Sequence, residues 1–211
     1  MQYILYPIWL LIIAFIGGKV SRKILASKLL VLGHQASGKT TFLRHYVPKI
    51  PEGPTGGTFE TYDYPIDVGN LFNFRWSLTV GDISGKEDFV AQATSKLRSD
   101  EKMKYIVLFI DLKKYFEDAS TQEHSKKLMD YVVKNEYTPA IITHSDGKNE
   151  EIKVHRHYCL VLTHLDQCNN GERERFEKEI SNKPYHKILD KAVFGDIRDK
   201  KVANKVFEKL D

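Results

Sequence analysis

Cysteine is nearly missing from this chain, whose 211 residues include two, Cys159 and Cys168. Neither falls in a CxxC or Cys/His ligand spacing, so both read as free thiols of a reducing compartment, and a disulfide framework is not expected. His155 and His157, in "VHRHY", read as facing opposite sides of a strand, which would leave them no shared metal site. An excess of one charge is also lacking. The 32 basic and 28 acidic residues leave a net charge of +4, too little to argue nucleic-acid binding. With no RNA-recognition signature and no basic repeat, nucleic acid is not an expected partner. Internal repeats and low-complexity linkers are missing as well, apart from the charged "GERERFEKE", which reads as a solvated helix face. The length suits one substantial core, or one domain with an appendage, and not two full domains. Composition is ordinary for a folded body, with 42% apolar and 28% charged residues, which excludes global disorder.

One stretch has no charge at all. Residues 3 to 18, "YILYPIWLLIIAFIGG", are followed closely by Lys19, Arg22, Lys23 and Lys28. Sixteen residues fall slightly short of the roughly 20 that a helix needs to cross a bilayer core, but Gln2 and a snorkelling Lys19 extend the run. A signal anchor, a cleaved signal peptide and a buried helix all compete for it. A secretory peptide carries its positive charge before the apolar run, whereas here the charge follows. That asymmetry favours a single-pass membrane anchor with the body in the cytosol. The expected organisation is therefore a span over 1–18, a basic juxtamembrane segment over 19–27 and one folded domain over 28–211. Residues 19–28 would add attraction to an anionic leaflet, roughly 1 kcal/mol per basic residue near the surface.

Beyond residue 25 short apolar runs alternate with charged amphipathic stretches. Six strands are expected at 28–33, 58–67, 74–82, 104–111, 157–166 and 191–197. Helices are expected at 38–47, 86–98, 121–134, 171–181 and 199–210. Several of the strands are unbroken apolar runs, as in a parallel sheet buried on both faces. The fold class is α/β, a three-layer arrangement around a mostly parallel six-stranded sheet. The tight link "DVGNLFN" makes the second and third strands an antiparallel hairpin. The segment 138–156 departs from the alternation, with two β-like runs around "SDGKN", and reads as a protruding hairpin insert.

"GHQASGKT", Gly33 to Thr40, fits G-x-x-x-x-G-K-[ST] and lies between an expected strand and an expected helix, as its chemistry requires. Backbone amides and the helix start attract phosphates. Gly33 and Gly38 permit the tight path, Lys39 reaches the β and γ phosphates, and the Thr40 hydroxyl is a Mg²⁺ ligand. This loop fixes phosphate binding and leaves kinase, ATPase and GTPase open. Downstream, "PEGPTGGTFETYDY" supplies a Pro/Gly-rich segment with threonines before a strand. "DISG" then places Asp82 and Gly85 at a strand end, where a carboxylate can hold a metal-bound water and an amide can meet the γ phosphate.

On these residues the chain, from 28 to about 210, resembles the Ras-like small GTPases and, within them, the branch of Arf and the signal-recognition-particle receptor β subunit. "GHQASGKTT" is similar to that branch's phosphate loop, which implies nucleotide contacts from Gly33, Gly38, Lys39, Thr40 and Thr41. "PTGG" is similar to its first switch and "DISG" to its second. The resemblance implies that Thr55 contacts Mg²⁺ and the γ phosphate, with Thr58 in reserve, and that Thr40, Thr55 and Asp82 hold the metal. The family's base-reading motif corresponds to "THLD", Thr163 to Asp166. There Asp166 would accept hydrogen bonds from guanine that adenine cannot supply, and His164 replaces the family's lysine. "FGDIRD", 194–199, occupies the place of the last motif without a clear match.

GTP or GDP with Mg²⁺ is thus the expected ligand set, and the expected function is a membrane-anchored switch that a protein effector or receptor partner reads. A non-hydrolysing GTP-binding scaffold that recruits a partner to the membrane is the alternative. A small-molecule kinase is disfavoured, since no arginine-rich lid is found. In many Ras-like proteins a glutamine follows D-x-x-G and orients water. Here the residue is Lys86, which has three donors and no acceptor. Lys86 can offer charge toward the γ phosphate, and Gln35 inside the phosphate loop is a substitute for the missing glutamine. Lys39, Lys86 and Gln35 are the catalytic candidates, and slow intrinsic hydrolysis is expected.

Overall fold

The computed structural model describes residues 28–46, 59–67, 73–81, 88–181 and 185–210. The apolar run 3–18, Thr55, Thr58, Asp82, Gly85 and Lys86 lie outside the described residues. Among the described residues no helix is long and apolar enough to cross a membrane.

A six-stranded sheet forms the middle layer. Its strands are β1 (Lys28–Gly33), β2 (Phe59–Asp67), β3 (Asn73–Gly81), β4 (Met103–Asp111), β7 (His157–Thr163) and β8 (Ala192–Phe194). They lie in the order β2-β3-β1-β4-β7-β8, and β2 pairs antiparallel with β3. Every other pairing is parallel, so the expected sheet is the one observed. The unbroken apolar runs of β1, β4 and β7 follow from burial on both faces, with a period of two deciding which residue meets which layer. Leu30, Leu32, Ile106, Leu108, Leu160 and Leu162 face one side. Leu29, Val31, Val107, Phe109, Cys159 and Val161 face the other.

The first side is covered by α4 (Ala119–Lys134) and α5 (Asn170–Ser181) through Leu128, Met129, Val132, Phe176 and Ile180. The second is covered by α1 (Lys39–Arg44) and α7 (Lys200–Leu210). In α7, Ala203, Val206, Phe207 and Leu210 are buried at helical spacing and form one apolar stripe. Phe42 of α1 fixes the packing, its ring 5.4 Å from Phe109 and 5.8 Å from Phe207. Helix α2 (Asp88–Ser99) precedes β4. Two short helices were not expected from sequence, α3 (Leu112–Glu117) and α6 (His186–Asp190). The first is legible in hindsight, because Asp111 caps α3 through the Lys114 amide at 3.1 Å and Asp118 caps α4 through the Ser120 and Thr121 amides, two acidic N-caps seven residues apart.

The expected insert is present as a separate antiparallel ribbon of β5 (Pro139–Thr143) and β6 (Asn149–Lys153). Buried Arg156, 0% exposed, ties it down. Its guanidinium donates to the carbonyls of Met103 at 3.1 Å, Leu97 at 2.7 Å and Thr138.

Three readings need correction. The last strand, expected over 191–197, spans Ala192–Phe194, because Gly195 turns at φ 150°. The fifth long strand ends at Thr163, because His164 turns left-handed at φ 57° and a 3₁₀ turn follows over Leu165–Gln167. His155 and His157 do not face opposite ways. Residues two apart share a side in extended chain, and the two rings lie 4.7 Å apart. Among the described residues no group of three or more histidines, cysteines and acids is placed to hold a metal. Both cysteines are free. Burial pushes the Cys159 thiol up to about 12 and Cys168 to about 11, so neither is a reactive thiolate at neutral pH.

Candidate functional site

The parallel strands β1, β4, β7 and β8 all deliver their C-terminal ends to one edge, where open α/β sheets bind ligands. Leaving β1, the chain turns at Gly33 (φ 151°), Ala36 (φ 61°) and Gly38 (φ 95°) before α1. The glycines are sterically required. A Cβ on Gly33 would lie 2.6 Å from the Phe109 carbonyl oxygen, and one on Gly38 would lie 3.2 Å from both Thr163 and Ile197. Lys39, 4% exposed, donates through Nζ to the carbonyls of Gly33 at 2.7 Å and His34 at 2.5 Å. The loop is thereby curled around its own ammonium, which sits where a phosphate chain would need positive charge. Thr40 and Thr41 are half-buried in the first turn of α1, and Gln35 is exposed on the loop.

Buried Thr163, at the end of β7, bonds the phosphate loop directly, its hydroxyl donating to the Ser37 carbonyl at 3.0 Å. His164 Nδ1 lies 3.2 Å from Asp111 Oδ2 and 3.2 Å from the Thr163 hydroxyl. Both neighbours lie within hydrogen-bonding distance of the one ring nitrogen, so Nδ1 ties the turn to the end of β4 and to Thr163. Asp166 is exposed on the turn that follows, with its Oδ2 3.3 Å from Arg198 Nη2.

The third segment of the site is the loop after β8, which sequence reading left without named residues. Asp196 and Arg198 form a fork, Nε to both carboxylate oxygens at 2.8 Å. This pairing, with the Arg198 amide on the same carboxylate, holds the Asp196 carboxyl below its usual range. Ile197 packs against Gly38, and its carbonyl accepts from His45 Nε2 at 2.8 Å, which ties this loop to α1. Gly38, Thr41, Thr163, His164, Asp166, Gln167, Asp196, Ile197 and Arg198 line one recess of about 130 Å³. On the same measure one water needs about 10–15 Å³, so there is room for on the order of ten atoms, the size of a bicyclic base. The structure therefore brings Gly33, Gly38, Lys39, Thr40, Thr41, Thr163, His164 and Asp166 to one edge and adds Asp196, Ile197 and Arg198. The place of "FGDIRD" in the chain was the available signal for those three.

His34, the first variable position of the loop, turns its ring inward against His124 of α4 at 5.2 Å. Burial, then the neighbouring His124 and Lys39, push its pKa below the ordinary 6.5. The neutral ring is thus the form built into the loop.

No protein-family model matches the sequence, and no curated protein matches it. The fold does have a match among solved structures. The Arl6 BBS3 small GTPase from Trypanosoma brucei, solved with the nucleotide analogue GppNp bound, superposes at a TM-score of 0.51, covering 87% of this chain and 94% of that one at 12% identity. Likeness at that identity is one of fold, and the fold of this chain is that of a small GTPase.

Proposed function

We propose that this chain is a guanine-nucleotide-binding switch, held at a membrane by its N-terminal run, with its folded domain over 28–211 in the cytosol. The observation that carries the reading is the meeting of three loops at Gly38: the phosphate loop, the Thr163–Asp166 turn and the Asp196–Arg198 turn. The first suits phosphates and the other two form a base-sized recess, so one nucleotide spans both. Gly33, Gly38, Lys39 and the amides at the start of α1 would hold the phosphates, with Lys39 giving up carbonyl contacts for phosphate oxygens. Thr40 would ligate Mg²⁺, together with Thr55 and Asp82 from segments outside the described residues. Mg²⁺ held there would supply positive charge to neutralise the phosphates. Asp166 would accept from the guanine edge once Arg198 moves off its carboxylate, and His164 would cover the base in place of lysine. Gly85 and Thr55 would report the γ phosphate to a protein partner.

A second reading, GTP binding without turnover, rests on Lys86. A lysine after D-x-x-G cannot accept a hydrogen bond from attacking water, and exposed Gln35 is the alternative for that role. Single-turnover hydrolysis with and without a partner separates the two, since partner-stimulated turnover contradicts the scaffold. The reading as a whole is tested by denaturing the purified full-length chain and identifying the released nucleotide. Guanine nucleotide is expected; adenine nucleotide alone contradicts the base assignment.

A further inference from the structure

Tyr137 and Ile141 are large hydrophobic side chains left in solvent, 52% and 47% exposed. Strand periodicity puts Ile141 on one side of the β5–β6 ribbon with Pro139, and Tyr137, in the turn before β5, joins that side through Lys153, the cross-strand partner of Pro139. Ala140, on the opposite side, is fully buried where β5 packs against α2. Across the ribbon Ile141 pairs with Glu151 and Pro139 with Lys153. The Lys153 ammonium stands 5.1 Å over the Tyr137 ring, and His155 stacks on that ring at 4.9 Å. His157 and Tyr105 continue the row at 4.7 and 5.5 Å.

This row ends where β1 begins, at the end of the sheet opposite the phosphate loop. Leu29 pairs with Tyr105, and Tyr105 with His157. Between β1 and the uncharged run 3–18 lie residues 19–27. Nine residues, even fully extended, reach about 30 Å, so whatever holds residues 3–18 stays close to this end.

We propose that the Tyr137–Ile141 face of the ribbon seats on the interfacial layer of the bilayer that holds the N-terminal run, with the phosphate loop turned away from the lipid. The proposal rests on the anchor reading above. Tyrosine suits the headgroup level, with its ring in the apolar boundary and its hydroxyl in water. Lys153 lays its stem along the ring and reaches phosphate headgroups. Glu151 orients the ribbon, with the apolar strand β5 entering and β6 staying toward water. A small face of this kind binds membranes weakly when free, but a short tether raises its local concentration to the order of millimolar. The occupant within reach is the lipid surface itself.

The test uses the full chain carrying Cys168→Ser, in which Cys159 stays buried and unreactive. An environment-sensitive fluorophore is attached at Thr143→Cys, beside Ile141 on the same side of the ribbon, or at Lys113→Cys, at the phosphate-loop end. Each is reconstituted in phosphatidylcholine and phosphatidylglycerol vesicles containing nitroxide-labelled lipid. The label at 143 is expected to be quenched several-fold more than that at 113. Tyr137→Ser with Ile141→Ser should reduce the quenching at 143 while the chain still floats with the vesicles. Equal weak quenching at both positions in a chain that floats overturns the proposal and leaves the anchor standing. A chain that fails to float overturns the anchor and the proposal together. Equal shielding of 143 from a water-soluble quencher without lipid means that the apolar run itself covers the face, which also overturns it.

Discussion

Lys39 and Arg156 are both buried cations held by main-chain carbonyls, 4% and 0% exposed, at opposite ends of the sheet. Lys39 bonds Gly33 and His34, both within its own loop. Arg156 bonds Leu97, Met103, Thr138 and Val154, which belong to separate segments of the chain. A compact ammonium on a flexible stem can exchange carbonyls for phosphate oxygens without disturbing the fold. A planar guanidinium fork satisfied from several directions cannot leave. The same kind of contact thus serves the proposed phosphate site at one end and a structural tie at the other.

Breaking each cation should separate these roles. Lys39→Ala should weaken nucleotide binding by about 3 kcal/mol or roughly a hundredfold in affinity, while the empty protein loses less stability than it does on removal of Arg156, since the Gly33 and His34 carbonyls belong to one loop at the edge of the sheet; titration with fluorescent GTP checks the first and urea unfolding the second. Wild-type affinity in that variant would contradict the phosphate-loop assignment. Arg156→Leu should do the reverse. Several buried carbonyls lose their donor, so stability should fall by about 3 kcal/mol, and the fraction that remains folded should bind nucleotide normally. Weakened binding there would mean that the ribbon end is coupled to the site.

A smaller effect sharpens the comparison from within the loop. The His34 pKa lies below 6.5 in the folded chain, so between that depressed value and 6.5 the unfolded chain binds more protons. The stability this group contributes is complete above pH 6.5 and is lost as pH falls through the folded value. His34→Gln should flatten the acid side of the urea-midpoint profile, and an unchanged slope would remove His34 as its source.

The middle layer was legible because both of its signals are local. Unbroken apolar runs marked β1, β4 and β7, and "GHQASGKT" marked a turn that glycines at 33 and 38 make possible. The base corner was only half legible. Asp166 was named from "THLD", but its contact with Arg198 spans 32 residues and no periodicity announces it. The same holds for Arg156, which in "VHRHY" looks like a solvated charge. Its burial depends on carbonyls brought together by α2, β4 and the ribbon. His155 and His157 show an error of another kind, since the two-residue repeat of extended chain already puts them on one side.

The central claim is that the recess beside Gly38 reads guanine through Asp166. Its most direct measurement is the affinity of the wild type and Asp166→Asn for GTP and for xanthosine triphosphate. Wild type should prefer GTP, and the variant should reverse that preference toward xanthosine triphosphate, by roughly a hundredfold in the ratio. An unchanged base preference in the variant would contradict the account.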